Sequence, residues 1–318
     1  MVPMPFRDRS AGRAPAAHSW AWAFAMLGSV LLLVAVYGVF VTTSTGQLAE
    51  HVAVQAAETR LQSLRGPGLA VLRWLPQIVG ALAVATFLVV TVWRRRWLAS
   101  LIAVAVFGAA NVTTQLLKNV LLVRPELDNG VPYLTGNSLP SGHTTFAAAA
   151  AVAVFLVVAP RWRPATAALG AVFATAVGAG AFIETWHRPA DMVAAYLVAA
   201  FWGLVGGYAI LRTGAEWNTV AWRQHDPSPA GSPLWEVALW LGGLALTAGV
   251  WLSYEMVGGL DALSADRPWN SGWHYLGGLL ASTGPGLLVF AALATFFRLE
   301  VGRAPALTLP GATARVET

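Results

Sequence analysis

The sequence predicts an all-α, polytopic membrane helix bundle: a six-span core followed by two further C-terminal spans. Composition is the first reason, with 57% hydrophobic against 11% charged residues over 318 positions and a mean hydropathy of +0.60. That is too apolar for a soluble domain. The second is a series of eight apolar runs of bilayer-crossing length. The third is the placement of the arginines in short clusters between those runs, the signature of membrane topology. The same dispersal argues against nucleic-acid binding despite a net charge of +5. With no cysteine, neither a disulfide framework nor a thiolate metal site is available.

Residues 1–18 form a polar tail with Arg7, Arg9 and Arg13. The first span, Ser19 to Val41, is too long for the core of a cleaved signal peptide and reads as a retained anchor. Thr42 to Gly66 is polar and reads either as an amphipathic surface helix or as a packed solvent-side helix. The second span covers Val71 to Trp93 and stops at Arg94-Arg95-Arg96. The third runs from Trp97 to Leu122 and opens into a polar loop, Val123 to Leu139. The fourth is His143 to Ala159, with Arg161 and Arg163 behind it, and the fifth Ala165 to Thr185. His187-Arg188-Pro189-Ala190-Asp191 opens the sixth, which closes a core over residues 19–211. A linker, 212–233, contains the turn-forming run Asp226-Pro227-Ser228-Pro229. Two additional spans lie within 234–297, Leu234 to Met256 and Tyr275 to Phe297, and a polar tail, 298–318, ends the chain. Trp235, Trp240, Trp251, Trp269 and Trp273 suit an aromatic belt, while a packing addition, an oligomer surface or a lid all remain open for these spans.

The positive-inside rule puts both termini and the connections after spans two, four and six in the cytoplasm, with Arg60, Arg65 and Arg73 dissenting. A plasma-membrane protein of this topology gathers its remaining polar residues on the outer face. A helix starting at Pro140 leaves the N–H groups of Ser141 and Gly142 free, and with the Ser141 hydroxyl they can bind an anion. The same string is also an ordinary helix start with a surface histidine, His143. Lys118, the only lysine, and Arg124 are an anion clamp or a pair of interface-snorkelling anchors. His187 and Asp191, four apart, share a helix face, so the carboxylate can hold one ring nitrogen and leave the other free to attack; a helix-starting ion pair is the bland alternative.

Lys118…Arg124-Pro125, Pro140-Ser141-Gly142-His143 and His187…Asp191 together resemble the three-part signature of the phosphatidic acid phosphatase type 2 superfamily. The resemblance covers spans three to six closely and the six-span core loosely. It implies a membrane-embedded lipid phosphatase that hydrolyses a phosphomonoester or pyrophosphate of a polyprenyl or glycerolipid through a phosphohistidine. His187 is then the nucleophile, Asp191 its orienting partner and His143 the acid and base. Lys118, Arg124, Ser141 and Gly142 hold the phosphoryl oxygens, and neither metal nor cofactor is implied. His143 and His187 should then face one another across a narrow pocket with Arg124 at its rim. The resemblance also admits a lipid phosphotransferase using the same intermediate, or a degenerate lipid-binding or scaffold protein.

Two positions depart from the signature. Lys118 and Arg124 are one residue closer than usual, which on a continuous helix rotates one side chain by roughly 100° unless Pro125 ends the helix first. Gly180 and Ala181 occupy the places of the usual Ser-Arg pair, so one cationic ligand is missing. Arg188 is the possible additional donor, and Glu184 reads as a structural ion-pair partner.

Overall fold

A computed structural model describes residues 19–63, 67–129, 131, 136–213, 217, 219–220, 230–260, 263, 272–300 and 302–303. The N-terminal tail, with Arg7, Arg9 and Arg13, lies outside these residues, as do Arg65, the Asp226 to Pro229 turn, Trp269 and the C-terminal tail beyond 303 with Arg315. Nine helices account for nearly all of the described chain: α1 (Ser19–Val36), α2 (Ser44–Ser63), α3 (Pro67–Arg94), α4 (Trp97–Leu116), α5 (Gly142–Val157), α6 (Arg163–Ile183), α7 (Pro189–Thr213), α8 (Leu234–Glu255) and α9 (Gly272–Leu299). A two-residue parallel pairing of Thr219–Val220 with Gly302–Arg303 is the only strand structure among the described residues.

Every apolar run read from the sequence folds as a helix, but the eight are not equivalent. Six are long and apolar enough to cross a bilayer: Ser19–Val41, Trp97–Leu121, Pro160–Ile183, Pro189–Thr213, Leu234–Glu255 and Gly272–Leu299. The shorter two are α5, and Gly80–Arg94 within α3. Helix α5 has 16 residues, 13 of them buried, and packs against α3, α4, α6 and α7. Its run of alanines lets those neighbours approach closely, as small residues do at helix contacts in membranes. It is the central post of the bundle, with His143 at one end and Val157 at the other.

The polar segment after α1 is the packed helix rather than the loosely held one. In α2, Ala49, Val52, Ala53, Ala56 and Ala57 are buried, following the i, i+3, i+4, i+7, i+8 pattern of one helix face. That face rests on α9 and α6. Helix α9 is built into the core: Phe290, Leu293 and Phe297 join the cluster formed by α5, α6 and α7, and Tyr196 of α7 donates to the Ser282 carbonyl at 2.9 Å. A Cβ on Gly286 would meet Thr175 and Tyr196, so the close passage of α9 past α6 and α7 requires glycine there. Helix α8 lies outside α9, tied by the 2.9 Å Arg298 to Glu236 ion pair, and reaches α2 through the Tyr254 hydroxyl, which donates to the Ala49 carbonyl at 2.9 Å.

The two ends of the bundle differ in chemistry. At the Val157 end, Arg94 donates to the Val157 carbonyl at 2.8 Å and Arg163 stacks on Trp217 with its guanidinium carbon 4.1 Å from the ring centre. At the other end lie the C-terminus of α4, the N-termini of α5 and α7, and the polar face of α2.

Candidate active site

Helix α4 loosens before it ends. Residues Leu117–Leu121 form a π-helical turn, and Leu122 is extended at φ −105°, ψ 132°. Lys118 therefore sits on the last helical turn and Arg124 on extended chain beyond it. The helix therefore ends before Arg124, as the placement of Pro125 predicts, and the two residues are not on one continuous helix.

Helix α5 starts at Gly142, with Ser141 as its N-cap, two residues later than the predicted start at Pro140. The Ser141 N–H is not free for an anion, because it donates to the Asp191 carbonyl at 2.9 Å. The Ser141 hydroxyl accepts from the Thr144 N–H at 3.4 Å and from the Thr144 hydroxyl at 3.0 Å, a cap worth about 1 kcal/mol to the helix. Its own proton is left to be donated elsewhere. The Gly142 N–H has no hydrogen bond among the described residues, so this donor stays available at the positive end of the helix dipole. The expectation that both the Ser141 and Gly142 N–H groups stay free is corrected for Ser141, because the Asp191 carbonyl arrives through tertiary packing.

Helix α7 begins at Pro189, so His187 lies in the bend before it and not on a helix face shared with Asp191; the bend itself brings the two side chains together. His187 Nδ1 lies 2.9 Å from Asp191 Oδ2, and the same oxygen accepts the Arg188 N–H at 3.0 Å. Both residues are buried. Beside a carboxylate that accepts only, Nδ1 carries the proton, which leaves Nε2 as the lone-pair nitrogen. Nε2 has no partner among the described residues. His143, exposed at the start of α5, packs its ring at 38° to Trp186 with centres 5.3 Å apart, and the charges of His187 and Lys118 both act on it. Lys118, His143 and His187 thus form one group at the mouth of the bundle.

Arg124 is placed differently from the rim position expected of it. It is 7% exposed, and Nη1 donates to Glu50 Oε2 at 3.3 Å. Nη2 is buried with no hydrogen-bond partner among the described residues. Glu50 Oε1 accepts the Ala190 N–H at 3.0 Å, so the carboxylate joins Arg124 to the first turn of α7. Burial and the facing Asp191 charge raise the Glu50 carboxyl to about 7, against Arg124, Arg188 and the Ala190 N–H, which lower it. Arg188 donates to the Ser138 hydroxyl at 2.7 Å and its charge reaches Arg124, Glu50 and Asp191. A second guanidinium therefore stands beside the site where buried Ala181 cannot supply one. Glu184 is buried at the end of α6.

From His143 an apolar groove descends between α3 and α5. Its upper part, about 410 Å³, is lined by Gln77, Gly80, Ala81, Val84, His143 and Phe146. Its lower part, about 240 Å³, shares Gly80, Val84 and Phe146 and extends to Leu88, Ala150 and Ala153. Val84 and Leu88 are exposed, so the groove opens sideways, toward the lipid phase of a bilayer.

Among the described residues no group of three or more His, Asp or Glu side chains has the geometry of a metal site. A family model, described as the PAP2 superfamily, matches residues 97–214, from the start of α4 to just past α7. That segment contains every residue of the three motifs. No curated protein and no solved structure matched the chain.

Proposed function

We propose that this chain, whose residues 97–214 carry the PAP2 superfamily match, is an integral membrane lipid phosphatase working through a phosphohistidine on the outward face of the plasma membrane. Members of that superfamily are phosphatases, and the apolar helices make this one a multi-pass membrane protein. The observation that carries the finer reading is the buried His187–Asp191 pair, with Nε2 unpartnered beside His143 and Lys118.

In this reading Nε2 of His187 attacks phosphorus while the bond to the lipid-side oxygen breaks, and His143 gives that oxygen a proton. His143 then removes a proton from water, which attacks the phosphohistidine and releases inorganic phosphate. Asp191 fixes the His187 tautomer and balances the charge that develops on the ring. Lys118, Arg124 Nη2, the Ser141 hydroxyl and the Gly142 N–H surround the three non-bridging oxygens, with Arg188 adding charge in place of the missing arginine. Preorganised donors around a transferring phosphoryl group are what this chemistry demands.

The groove below His143 supports a lipid substrate, because it offers a single hydrocarbon chain an apolar path beginning at a catalytic side chain. The arginines at the Val157 end support cytoplasmic termini and an outward site. Residues 19–211 serve as the catalytic unit, 212–233 as a cytoplasmic linker, and 234–297 as a brace through α9. Release of inorganic phosphate from a panel of polyprenyl pyrophosphate, phosphatidic acid and phosphatidylglycerol phosphate, compared for wild type and His187→Ala, tests the reading. Wild-type release on at least one lipid with none from the variant is expected. A wild type at the blank across the panel sinks it.

A further inference from the structure

We propose that Glu50, on α2 and outside the family-matched segment, is a positioning residue for the phosphate site: it holds the Arg124 guanidinium against the first turn of α7 with Nη2 left for a phosphoryl oxygen. The inference rests on the phosphate-binding role of Arg124 proposed above and assigns the device that makes that role possible. Helix α4 has ended by Leu121, so no helical ladder fixes the chain that carries Arg124. The fixing comes from residues 37–50. The Tyr37 hydroxyl donates to the Val123 carbonyl at 2.6 Å, and Gln47 Nε2 donates to the Pro125 carbonyl at 2.9 Å. The backbone is thus held on both sides of Arg124, and Glu50 holds its side chain.

The mode of pairing matters. A carboxylate left to itself takes both terminal nitrogens of a guanidinium in a two-pronged pair. Here one oxygen is diverted to the Ala190 N–H at 3.0 Å, so Glu50 engages Nη1 alone. Arg124, 7% exposed, keeps a buried Nη2 with no partner among the described residues. A buried charged donor left unsatisfied is costly, and an incoming phosphoryl oxygen relieves that cost. Glu50 also neutralises part of the positive charge gathered by Arg124 and Arg188, which lets the two guanidinium groups stand close together before substrate arrives.

The test is binding of inorganic phosphate to the detergent-solubilised full chain by titration calorimetry at about pH 8, where Glu50 is ionised. Wild type, Glu50→Gln, Arg124→Ala and the double variant are compared, with Glu50→Asp as a charge-conserving control and thermal midpoints as a check of folding. Glu50→Gln is expected to weaken phosphate binding about tenfold in the wild-type background, the scale of one charge-assisted contact. In the Arg124→Ala background it changes binding less than about twofold, because the effect passes through the guanidinium. Glu50→Asp falls between wild type and Glu50→Gln. Unchanged or tighter binding in Glu50→Gln, an effect that persists without Arg124, or no phosphate binding by wild type overturns the inference. A wild type that binds phosphate with this coupling but hydrolyses no lipid overturns the phosphatase reading alone.

Discussion

Replacing Asp191 with Asn keeps the shape of the side chain and removes its charge, at the point where two donors converge on one oxygen. Asp191 Oδ2 accepts from His187 Nδ1 at 2.9 Å and from the Arg188 N–H at 3.0 Å, and the Ser138 hydroxyl also bonds the carboxylate. If the Asn carbonyl oxygen takes the Oδ2 place, both donors keep a neutral acceptor. If the amide nitrogen takes the Oδ2 place instead, it confronts two donors and drives the His187 proton to Nε2. Even the better arrangement turns two charge-assisted bonds into neutral ones and removes the charge facing the imidazolium, a loss of about 2–4 kcal/mol in the transition state. The rate of phosphate release should therefore fall by roughly 30- to 1,000-fold. Single-turnover release from the best lipid of the panel measures it, with the thermal midpoint reported alongside. Asp191→Asn within about threefold of wild type would refute the assignment of His187 as a nucleophile oriented by Asp191.

Further outcomes follow from the groove and from α2. A Cβ on Gly80 stands 3.1 Å from Phe146 Cε1, so Gly80→Leu blocks the groove where its two parts meet. It should lower kcat/KM for a long-chain lipid phosphate about tenfold more than for a short-chain, water-soluble one, and equal losses on both would remove the groove from the substrate path. The Glu50 carboxyl, raised to about 7, faces Arg124, Arg188, Asp191 and Tyr254, with His51 beside it. The folded chain holds a proton there that the unfolded chain releases above about pH 4.5, so this stabilisation is complete below that pH and is lost as pH rises through about 7. Between about pH 5 and 8 the wild-type thermal midpoint should drop relative to that of Glu50→Gln, and parallel curves would show that Glu50 titrates normally.

The membrane bundle was legible because long apolar runs leave few alternatives, and the motif residues because Lys118, His143, His187 and Asp191 are polar groups with little other reason to gather at one end. Proline carried local detail well: Pro189 opens α7 and Pro125 follows a helix already ended at Leu121. What escaped was packing by small residues. By their larger residues, Val54 and Leu61 share one face of α2 while Leu48 and Val52 lie well round from it, whereas the buried face is made by Ala49, Val52, Ala53, Ala56 and Ala57, and that stripe places Glu50 at the buried site. Helix α9 is apolar on all sides, so its pattern gave no hint that Gly286 brings it against Thr175 and Tyr196. Arg124 before a proline reads as a loop residue at a rim. Its burial depends on Glu50, a partner 74 positions away that no local pattern connects to it.

The central claim, that His187 Nε2 takes the phosphoryl group beside His143, is tested most directly by trapping the intermediate. Full-length protein mixed with lipid labelled with ³²P in its terminal phosphate and quenched in alkali should carry acid-labile, alkali-stable label on His187. The label should appear during turnover of the wild type and be absent in His187→Ala, and in His143→Ala what does form should decay more slowly than in the wild type, because water is no longer activated. Label on another residue, or phosphate release by His187→Ala at the wild-type rate, would contradict the account.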